Sequence, residues 1–241
     1  MAAAQAEESK LSSPVSLLER EVGSGLPLWR SRDNLVTFDG APLGPVVSTA
    51  VPGVAGAFVL SNILSRYECD QLRQASQAMG YLPESSSAGR STRSGSQCVW
   101  IADDTLWRPI WERLAPWMPT IADSPAEAGE GRSAVAINQR WRCYQYAQDD
   151  NFSRHHDGMW LGSGLDDAGR FVRDMWGGRR QSELTVLLYL DDLDDYDGGA
   201  TTFFEPDAEG AVLRSVRAPQ GSALCFFHGQ HPLSPLHEGS R

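Results

Sequence analysis

Hydrophobic and polar positions follow a helical period in the first half of the chain and a strand period in the second half. In residues 65–81 an apolar stripe at helical spacing ends at Gly80, a residue that favours helix termination. Ser65 and Glu68 fit a capping box, in which each side chain accepts a hydrogen bond from a free amide of the first turn. The pattern predicts a helix that begins after Ser65 and packs on a sheet.

A second helical region is predicted in residues 103–119, where aspartates stand near the start. Pro109 lacks an amide hydrogen, so we expect it to mark either the first turn of this helix or a break in it. The apolar positions that share one side are Leu106, Ile110, Leu114 and Trp117.

From Ser133 onward the apolar positions recur every second residue, which is typical of strands. In residues 134–147 one predicted face carries Val135, Ile137, Trp141 and Cys143. The other face carries Asn138, Arg140, Arg142, Tyr144 and Tyr146. A strand face of this polar composition is unusual unless it lines a cavity.

Further strands are predicted in residues 182–193, 198–206 and 221–229, each bounded by turn residues. Helices followed by a run of short strands favour a β-sandwich or barrel backed by helices. The chain has 241 residues, enough for one substantial domain. Residues 1–45 show no sustained periodicity and are predicted to be a tail or loosely packed arm, which leaves a domain over residues 46–241.

Composition and charge narrow the partners and the location. The net charge of −10 argues against a duplex nucleic acid or an anionic membrane as the main partner, because both repel an acidic surface. The four cysteines form no CxxC pair, which favours reduced thiols. The first ten residues lack the features of a signal peptide, and the longest apolar stretch is broken by Pro52. We therefore expect an intracellular, cytoplasmic protein.

All five histidines lie between residues 155 and 237. In a strand, residues two apart point the same way, so His155 and Asp157 project together and His156 turns away. One imidazole and one carboxylate supply two ligands of a metal site. The candidates for a third ligand are His228, His231 and His237. Two histidines and one carboxylate leave three metal positions open, the arrangement of non-haem Fe(II) oxygenases.

Six short motifs follow one another in the second half: Tyr146, His155 with Asp157, "LLYLDD", "GGATTF", "PQGSALCFFHG" and "HEG" at His237. Their order and spacing resemble the Fe(II)- and 2-oxoglutarate-dependent dioxygenases of the prolyl 4-hydroxylase type. The agreement covers roughly residues 138–241 and extends more loosely back to about residue 54. The resemblance implies an α+β fold with a double-stranded β-helix (jelly-roll) core at about residues 134–241, supported by N-terminal helices.

The same resemblance implies the site residues. It places the metal ligands at His155, Asp157 and His237. It implies that Tyr146 and Tyr189 bond 2-oxoglutarate, with ordinary barrel packing as the alternative explanation of both tyrosines, and that Thr201 lines the same pocket. The segment "RSTRSGSQ" is similar to the mobile loop that closes over substrate in prolyl hydroxylases, so residues 84–97 are either a flexible linker or a lid.

One part of the family pattern is missing. The family binds the far carboxylate of 2-oxoglutarate with a lysine or arginine on the last strand, beyond the distal histidine, and the sequence ends at Arg241. We therefore expect the chain to be a fragment that lacks this last strand. If another arginine substitutes, Arg140 and Arg142 are the first candidates, because they share the predicted strand face of Tyr146.

The sequence thus predicts a dioxygenase that uses Fe(II), 2-oxoglutarate and ascorbate, hydroxylates a substrate, and releases succinate and CO2. By resemblance, peptidyl proline is the leading substrate, within a broader choice between a protein or peptide and a small molecule. The alternative is a non-catalytic jelly-roll binding module that has lost the 2-oxoglutarate anchor. A zinc hydrolase is a third possibility, for which the sequence offers no general base near the triad.

Overall fold

The computed structural model describes residues 13–38, 44–83, 94–122, 131–195, 197–205 and 211–240. The described part is an α+β protein with helices α1 (Arg66–Met79) and α2 (Asp104–Leu114). Its strands are β1 (Val15–Arg20), β2 (Pro27–Ser31), β3 (Val47–Ala50), β4 (Phe58–Ser61), β5 (Leu82–Pro83), β6 (Ser96–Ile101), β7 (Thr120–Ala122), β8 (Gly131–Ser133), β9 (Arg140–Gln145), β10 (Phe152–His155), β11 (Gly164–Leu165), β12 (Phe171–Val172), β13 (Leu184–Leu188), β14 (Thr201–Phe204), β15 (Val212–Val216), β16 (Ala223–Phe227) and β17 (Leu236–Gly239). Most of the loop interpreted as a linker or lid, residues 84–93, lies outside the described residues.

Helix α1 has the boundaries that its capping residues predict. The Ser65 hydroxyl accepts a hydrogen bond from the Glu68 amide, and the Glu68 carboxylate accepts one from the Ser65 amide. Gly80 follows the helix with a φ of 82°, a conformation that a residue with a Cβ rarely adopts. The predicted capping box is therefore confirmed.

Helix α2 runs through Pro109, so the prediction that this proline marks a first turn or a break is wrong. The apolar stripe explains why the helix continues, because Leu106, Ile110 and Leu114 are all buried and lie on both sides of the proline. Burial of this stripe outweighs the single backbone hydrogen bond that Pro109 cannot donate. Trp117 lies beyond the helix and is 39% exposed.

Two four-stranded antiparallel sheets combine strands of the second half of the chain with β3 and β4 of the first half. The histidine sheet has the order β10-β17-β14-β15, and the inner sheet has the order β13-β16-β4-β3. They pack against each other through Phe203 of β14 and Phe226 of β16, whose rings lie edge to face with centroids 5.4 Å apart. This contact fills the space beside the ends of the histidine-bearing strands.

Strand β16 is buried on both faces, so the inner sheet is a middle layer. Leu224 and Phe226 share a core cluster with Phe203 of the histidine sheet. Ala223 and Cys225 instead belong to the core cluster formed with both helices. The layers are therefore histidine sheet, inner sheet and helices. Among the described residues, no helix is both long and apolar enough to cross a membrane.

A third sheet has the order β1-β2-β6-β5, with β9 paired to the other edge of β6. Leu28 of β2 is fully buried and pairs in parallel with Val99 of β6. Residues 15–31 of the segment predicted to be a tail or loosely packed arm thus form a hairpin that packs on the domain. The boundary predicted at residue 45 stays a prediction.

Strand β9 begins at Arg140, later than the alternation predicts. Before it the chain is not a strand: Val135 is 59% exposed, and the Asn138 side chain bonds the Leu161 carbonyl. Within the strand the predicted faces are as expected, because Trp141 and Cys143 pack on the core that contains the helices. The opposite face of β9 carries the arginines and tyrosines.

Candidate metal centre

Three side chains from separate parts of the sequence converge at one end of the histidine sheet. Each of His155, Asp157 and His237 offers one ligand atom, and these atoms lie within 4.8 Å of one another. Nε2 of His155 is 3.3 Å from Oδ1 of Asp157, and Nε2 of His237 is 3.7 Å from Oδ2. The three groups are therefore spaced so that a single ion could contact all of them.

Strand pairing and a β-bulge bring the two imidazoles together. His155 of β10 lies directly opposite His237 of β17, and their ring centroids are 4.3 Å apart. The register shifts by one residue between Phe152 and His155. A bulge re-aims the side chains on one strand, and here the Phe152 ring stacks on the His155 ring at a centroid distance of 3.4 Å. This stacking fixes the plane of the His155 imidazole.

Both imidazoles present Nε2 to the carboxylate because Nδ1 is engaged elsewhere. Nδ1 of His155 lies 2.8 Å from the Ser153 carbonyl oxygen, and Nδ1 of His237 lies 3.2 Å from the Pro235 carbonyl oxygen. A carbonyl only accepts, so each Nδ1 donates a proton to it, and Nε2 is the ring nitrogen directed at the carboxylate. Metal-binding histidines are oriented by such bonds in most proteins.

The charge states of the site suit a cation. Burial alone would raise the pKa of Asp157, but the His155 and His237 imidazoles and the Thr185 hydroxyl outweigh it and hold that pKa below its usual range. Burial lowers the pKa of His237 to about 4, although the Asp157 carboxylate opposes this shift. At neutral pH the carboxylate is ionised and His237 is neutral, which are the forms that bind metals.

The residues present fit a bound divalent ion. Nε2 of His155 is buried and makes no hydrogen bond with the described residues. A lone pair that faces a carboxylate at 3.3 Å is unfavourable unless a proton or a cation lies between them. Two imidazole nitrogens and one carboxylate form the donor set that holds Fe(II) while leaving coordination positions open.

A chain of hydrogen bonds holds Asp157 from behind. The Thr185 hydroxyl donates to Oδ2 of Asp157 at 2.7 Å and accepts from Nδ1 of His228 at 2.9 Å. Nε2 of His228 in turn accepts from the Ser182 hydroxyl at 2.9 Å. The Ser182 oxygen completes the chain by accepting from the Trp160 amide at 2.9 Å. Every donor in this series of hydrogen bonds has one acceptor, so the series fixes the direction in which the Asp157 carboxylate points.

Replacing Thr185 with valine is expected to weaken binding of Mn(II) by roughly 10- to 100-fold, the usual effect of losing a group that orients a ligand. Valine keeps the shape of threonine but cannot donate to Asp157, while Thr185→Ser keeps the hydroxyl and serves as the matched control. Titration of each variant with Mn(II), monitored by electron paramagnetic resonance, measures the affinity. Equal affinities for the valine and serine variants would contradict the assigned role.

The curated proteins that match a segment of about 90 residues of this chain include three PKHD-type hydroxylases. A PKHD-type hydroxylase of Maricaulis maris is 34% identical over 90 residues, which is 37% of this chain and 36% of the relative. PKHD-type hydroxylases of Cupriavidus metallidurans and Paraburkholderia phymatum are 31% and 33% identical over 91 residues, 37% of this chain and 38% of each relative. The chain is related to the PKHD-type hydroxylases. No family model matches it.

This relationship confirms the prolyl 4-hydroxylase-like resemblance that the motifs predict. The matched segment spans less than two-fifths of each PKHD-type relative.

The other residues that the motifs single out form two groups. Tyr189 and Thr201 lie together, with the tyrosine hydroxyl 3.0 Å from the threonine hydroxyl. Thr201 is buried, and Tyr189 packs on the cluster between the two sheets. Because two adjacent hydroxyls can rotate to donate to a common acceptor, this pair could bind a carboxylate at the back of the space between the sheets.

The second group lies along the polar face of β9. Nη1 of Arg142 donates to the Tyr144 hydroxyl at 3.4 Å, and the rings of Tyr144 and Tyr146 are 6.2 Å apart. Tyr146 reaches β17, the strand that carries His237. Its hydroxyl oxygen lies beside Gly239, 3.9 Å from the position that a Cβ on this glycine would take. Arg140 is engaged elsewhere, since its guanidinium forms an ion pair with Glu21 at 2.7 Å.

Sequence reasoning missed Thr185, Ser182 and Trp160. Thr185 is the one hydroxyl residue in the apolar strand β13, and a lone threonine there is compatible with simple packing. Its role is visible only once the hydrogen bond to Asp157 is known. His228, one of the candidates for the third ligand, instead lies behind Asp157 and contacts it through the Thr185 hydroxyl.

Proposed function

We propose that this protein is an Fe(II)- and 2-oxoglutarate-dependent dioxygenase that hydroxylates a substrate and releases succinate and CO2. The observation that supports this most strongly is the triad, in which two imidazoles direct Nε2 at one carboxylate. The PKHD-type relatives, which are hydroxylases by name, support the reaction class.

His155, Asp157 and His237 would hold the iron. When bound, the iron would supply the reaction of O2 with 2-oxoglutarate and substrate, a chemistry that protein side chains cannot perform. The protein contributes orientation and exclusion of water. Phe226 lies edge to face with His237 at 4.7 Å, and Phe152 covers His155, so apolar rings surround the ligands.

The two four-stranded sheets support a double-stranded β-helix as the architecture of this enzyme. In the histidine sheet and the inner sheet, neighbouring strands are antiparallel and several are distant in sequence. Packing of two such sheets face to face is the arrangement of a jelly roll. The candidate metal centre lies at the edge of the histidine sheet, on β10 and β17.

For 2-oxoglutarate we propose contacts with Tyr189, Thr201, Tyr146 and Arg142. The Tyr189–Thr201 pair offers two hydroxyl donors beside the ring cluster of Phe203, Phe226 and His237. Arg142 of β9 and Tyr146, the residue that follows this strand, offer further donors. The substrate that we propose is a protein or peptide, with peptidyl proline as the leading residue, and ascorbate would keep the iron reduced.

Replacing Tyr189 with phenylalanine is expected to raise the KM for 2-oxoglutarate by about 3- to 10-fold, the effect of losing one hydrogen bond of typical strength. The phenyl ring preserves the packing between the sheets, so stability should change little. Tyr67→Phe, at an exposed position on α1, is the control. An unchanged KM in Tyr189→Phe would place the co-substrate elsewhere.

The proposed reaction is tested by succinate release from 2-oxoglutarate in the presence of Fe(II), ascorbate and O2, with and without proline-containing peptides. We expect succinate that depends on added iron and that is abolished by a chelator. A protein that binds iron and 2-oxoglutarate yet forms no succinate with any peptide would instead act as a binding module.

A further inference from the structure

Three arginines surround one tryptophan next to the candidate metal centre. The guanidinium carbon of Arg140 lies 4.1 Å from the centre of the Trp160 ring system, and those of Arg142 and Arg173 lie at 5.7 and 5.8 Å. We call these residues the arginine cluster. The chain has a net charge of −10, so three arginines around one indole form a positively charged patch on an acidic protein.

The cluster is costly to assemble, because it brings like charges close together. Burial lowers the pKa of Arg140, and the neighbouring Arg142 cation lowers it further. Glu21 partly offsets this through an ion pair with Arg140. Arg173 is exposed and forms no ion pair with the described residues. A like-charged group that weakens the fold at one spot is more often retained for binding than for stability.

The cluster lies at the candidate metal centre. Trp160 follows Asp157 by three residues, a stretch that spans at most about 11 Å. Its backbone is fixed by two bonds to Ser182, one from the Trp160 amide to the Ser182 hydroxyl at 2.9 Å and one from the Ser182 amide to the Trp160 carbonyl at 2.8 Å. Ser182 belongs to the hydrogen-bond chain behind Asp157, so the indole is held in a fixed position relative to the proposed ligands.

The chemistry of the cluster selects a carboxylate. Arg140 already pairs with Glu21, and Arg142 donates to the Tyr144 hydroxyl. Arg173 is exposed, and the planar fork of donors of a guanidinium matches the two oxygens of a carboxylate. We infer that the arginine cluster is a carboxylate-binding subsite that takes an acidic group of the substrate close to the residue to be hydroxylated. This inference rests on the proposed function and adds to it an acidic class of substrate.

Two peptides serve as probes for this subsite: a proline-containing hexapeptide with two glutamates and the same peptide with two glutamines. Binding is measured by calorimetry at low salt with Mn(II) and 2-oxoglutarate, so that no turnover occurs. We expect the glutamate peptide to bind about 10-fold more tightly than the glutamine peptide, and Arg173→Gln to remove most of this preference.

Arg180→Gln is the matched control, because Arg180 is also an exposed arginine over a tryptophan but lies outside the cluster. Its guanidinium carbon is 4.7 Å from the centre of the Trp176 ring. It should retain the preference of the wild-type protein. A salt titration adds a second readout, since the preference of an exposed cation for a carboxylate falls with ionic strength.

A second measurement, of 2-oxoglutarate binding, distinguishes the two molecules that could supply the carboxylate: the peptide substrate and the co-substrate. If Arg173→Gln weakens binding of 2-oxoglutarate to the Mn(II) protein and leaves the peptide preference unchanged, the cluster binds the co-substrate, and the inference of an acidic substrate is wrong. If neither ligand responds to Arg173→Gln, or the two peptides bind the wild-type protein equally, the inference is wrong. Failure of the proposed function would be seen separately, as absence of Mn(II) binding or of succinate release in the wild-type protein.

Discussion

Replacing Asp157 with alanine is expected to lower the affinity for Mn(II) by more than about 100-fold, because loss of a group that merely orients a ligand already costs roughly 10- to 100-fold. The carboxylate is the only negatively charged group of the triad, and both imidazoles direct Nε2 towards it. With Fe(II) the same variant should form no succinate. Electron paramagnetic resonance of free Mn(II) measures the affinity directly.

His156→Ala is the matched control for this prediction. His156 is adjacent in sequence and exposed, and its ring contacts the Ser234 hydroxyl at 3.4 Å. We expect wild-type affinity for Mn(II) in this variant. If Asp157→Ala bound Mn(II) as tightly as His156→Ala, the carboxylate would not be a ligand.

Replacing Glu68 with glutamine is expected to reduce the free energy of unfolding by about 3–5 kcal/mol, the usual cost of breaking a buried ion pair. Glu68 is fully buried and its two carboxylate oxygens accept from Arg113 at 2.7 and 2.8 Å. The Arg113 side chain is only 12% exposed, so glutamine would remove a carboxylate from beside a cation that is largely shielded from water. Glutamine can still close the cap of α1. Urea unfolding monitored by circular dichroism gives the change.

Arg108→Ala provides the comparison for Glu68→Gln. Arg108 also pairs with a carboxylate, that of Asp104 at 2.6 Å, but both side chains are more than half exposed. Water screens this pair, so its loss should cost less than about 1 kcal/mol. Similar losses of stability in the two variants would mean that burial does not control the strength of the Glu68–Arg113 pair.

The sequence predicts those features that depend on neighbours in the chain. Helix α1 follows from Ser65, Glu68 and Gly80, because a capping box and a terminating glycine act within one turn. Strands β13, β14 and β16 follow from short apolar runs between turn residues.

Features that depend on distant partners are predicted less well. The β1–β2 hairpin is stabilised by parallel pairing of Leu28 with Val99, about 70 residues away, and nothing in its own pattern indicates a strand. The helical region of α2 was predicted, but its continuation through Pro109 was not, because burial of its apolar stripe decides its length.

At the candidate metal centre, too, some features could be predicted from the sequence and others depend on partners that are distant in the chain. The motifs single out His155, Asp157 and His237 on a resemblance, and the structure brings them together. The bonds through Thr185 to Asp157 have no signature in the sequence, since a threonine within an apolar strand predicts only a strand. The arginine cluster likewise joins residues from β9 and from the loop after β12, which only the folded chain brings near Trp160.

The most direct test of the central claim is an anomalous difference map from a crystal of the protein soaked with Mn(II). The account predicts one strong peak about 2.2 Å from Nε2 of His155, a carboxylate oxygen of Asp157 and Nε2 of His237. A peak bound by His228 or His231 instead, or crystals that take up no Mn(II) at this triad, would contradict it.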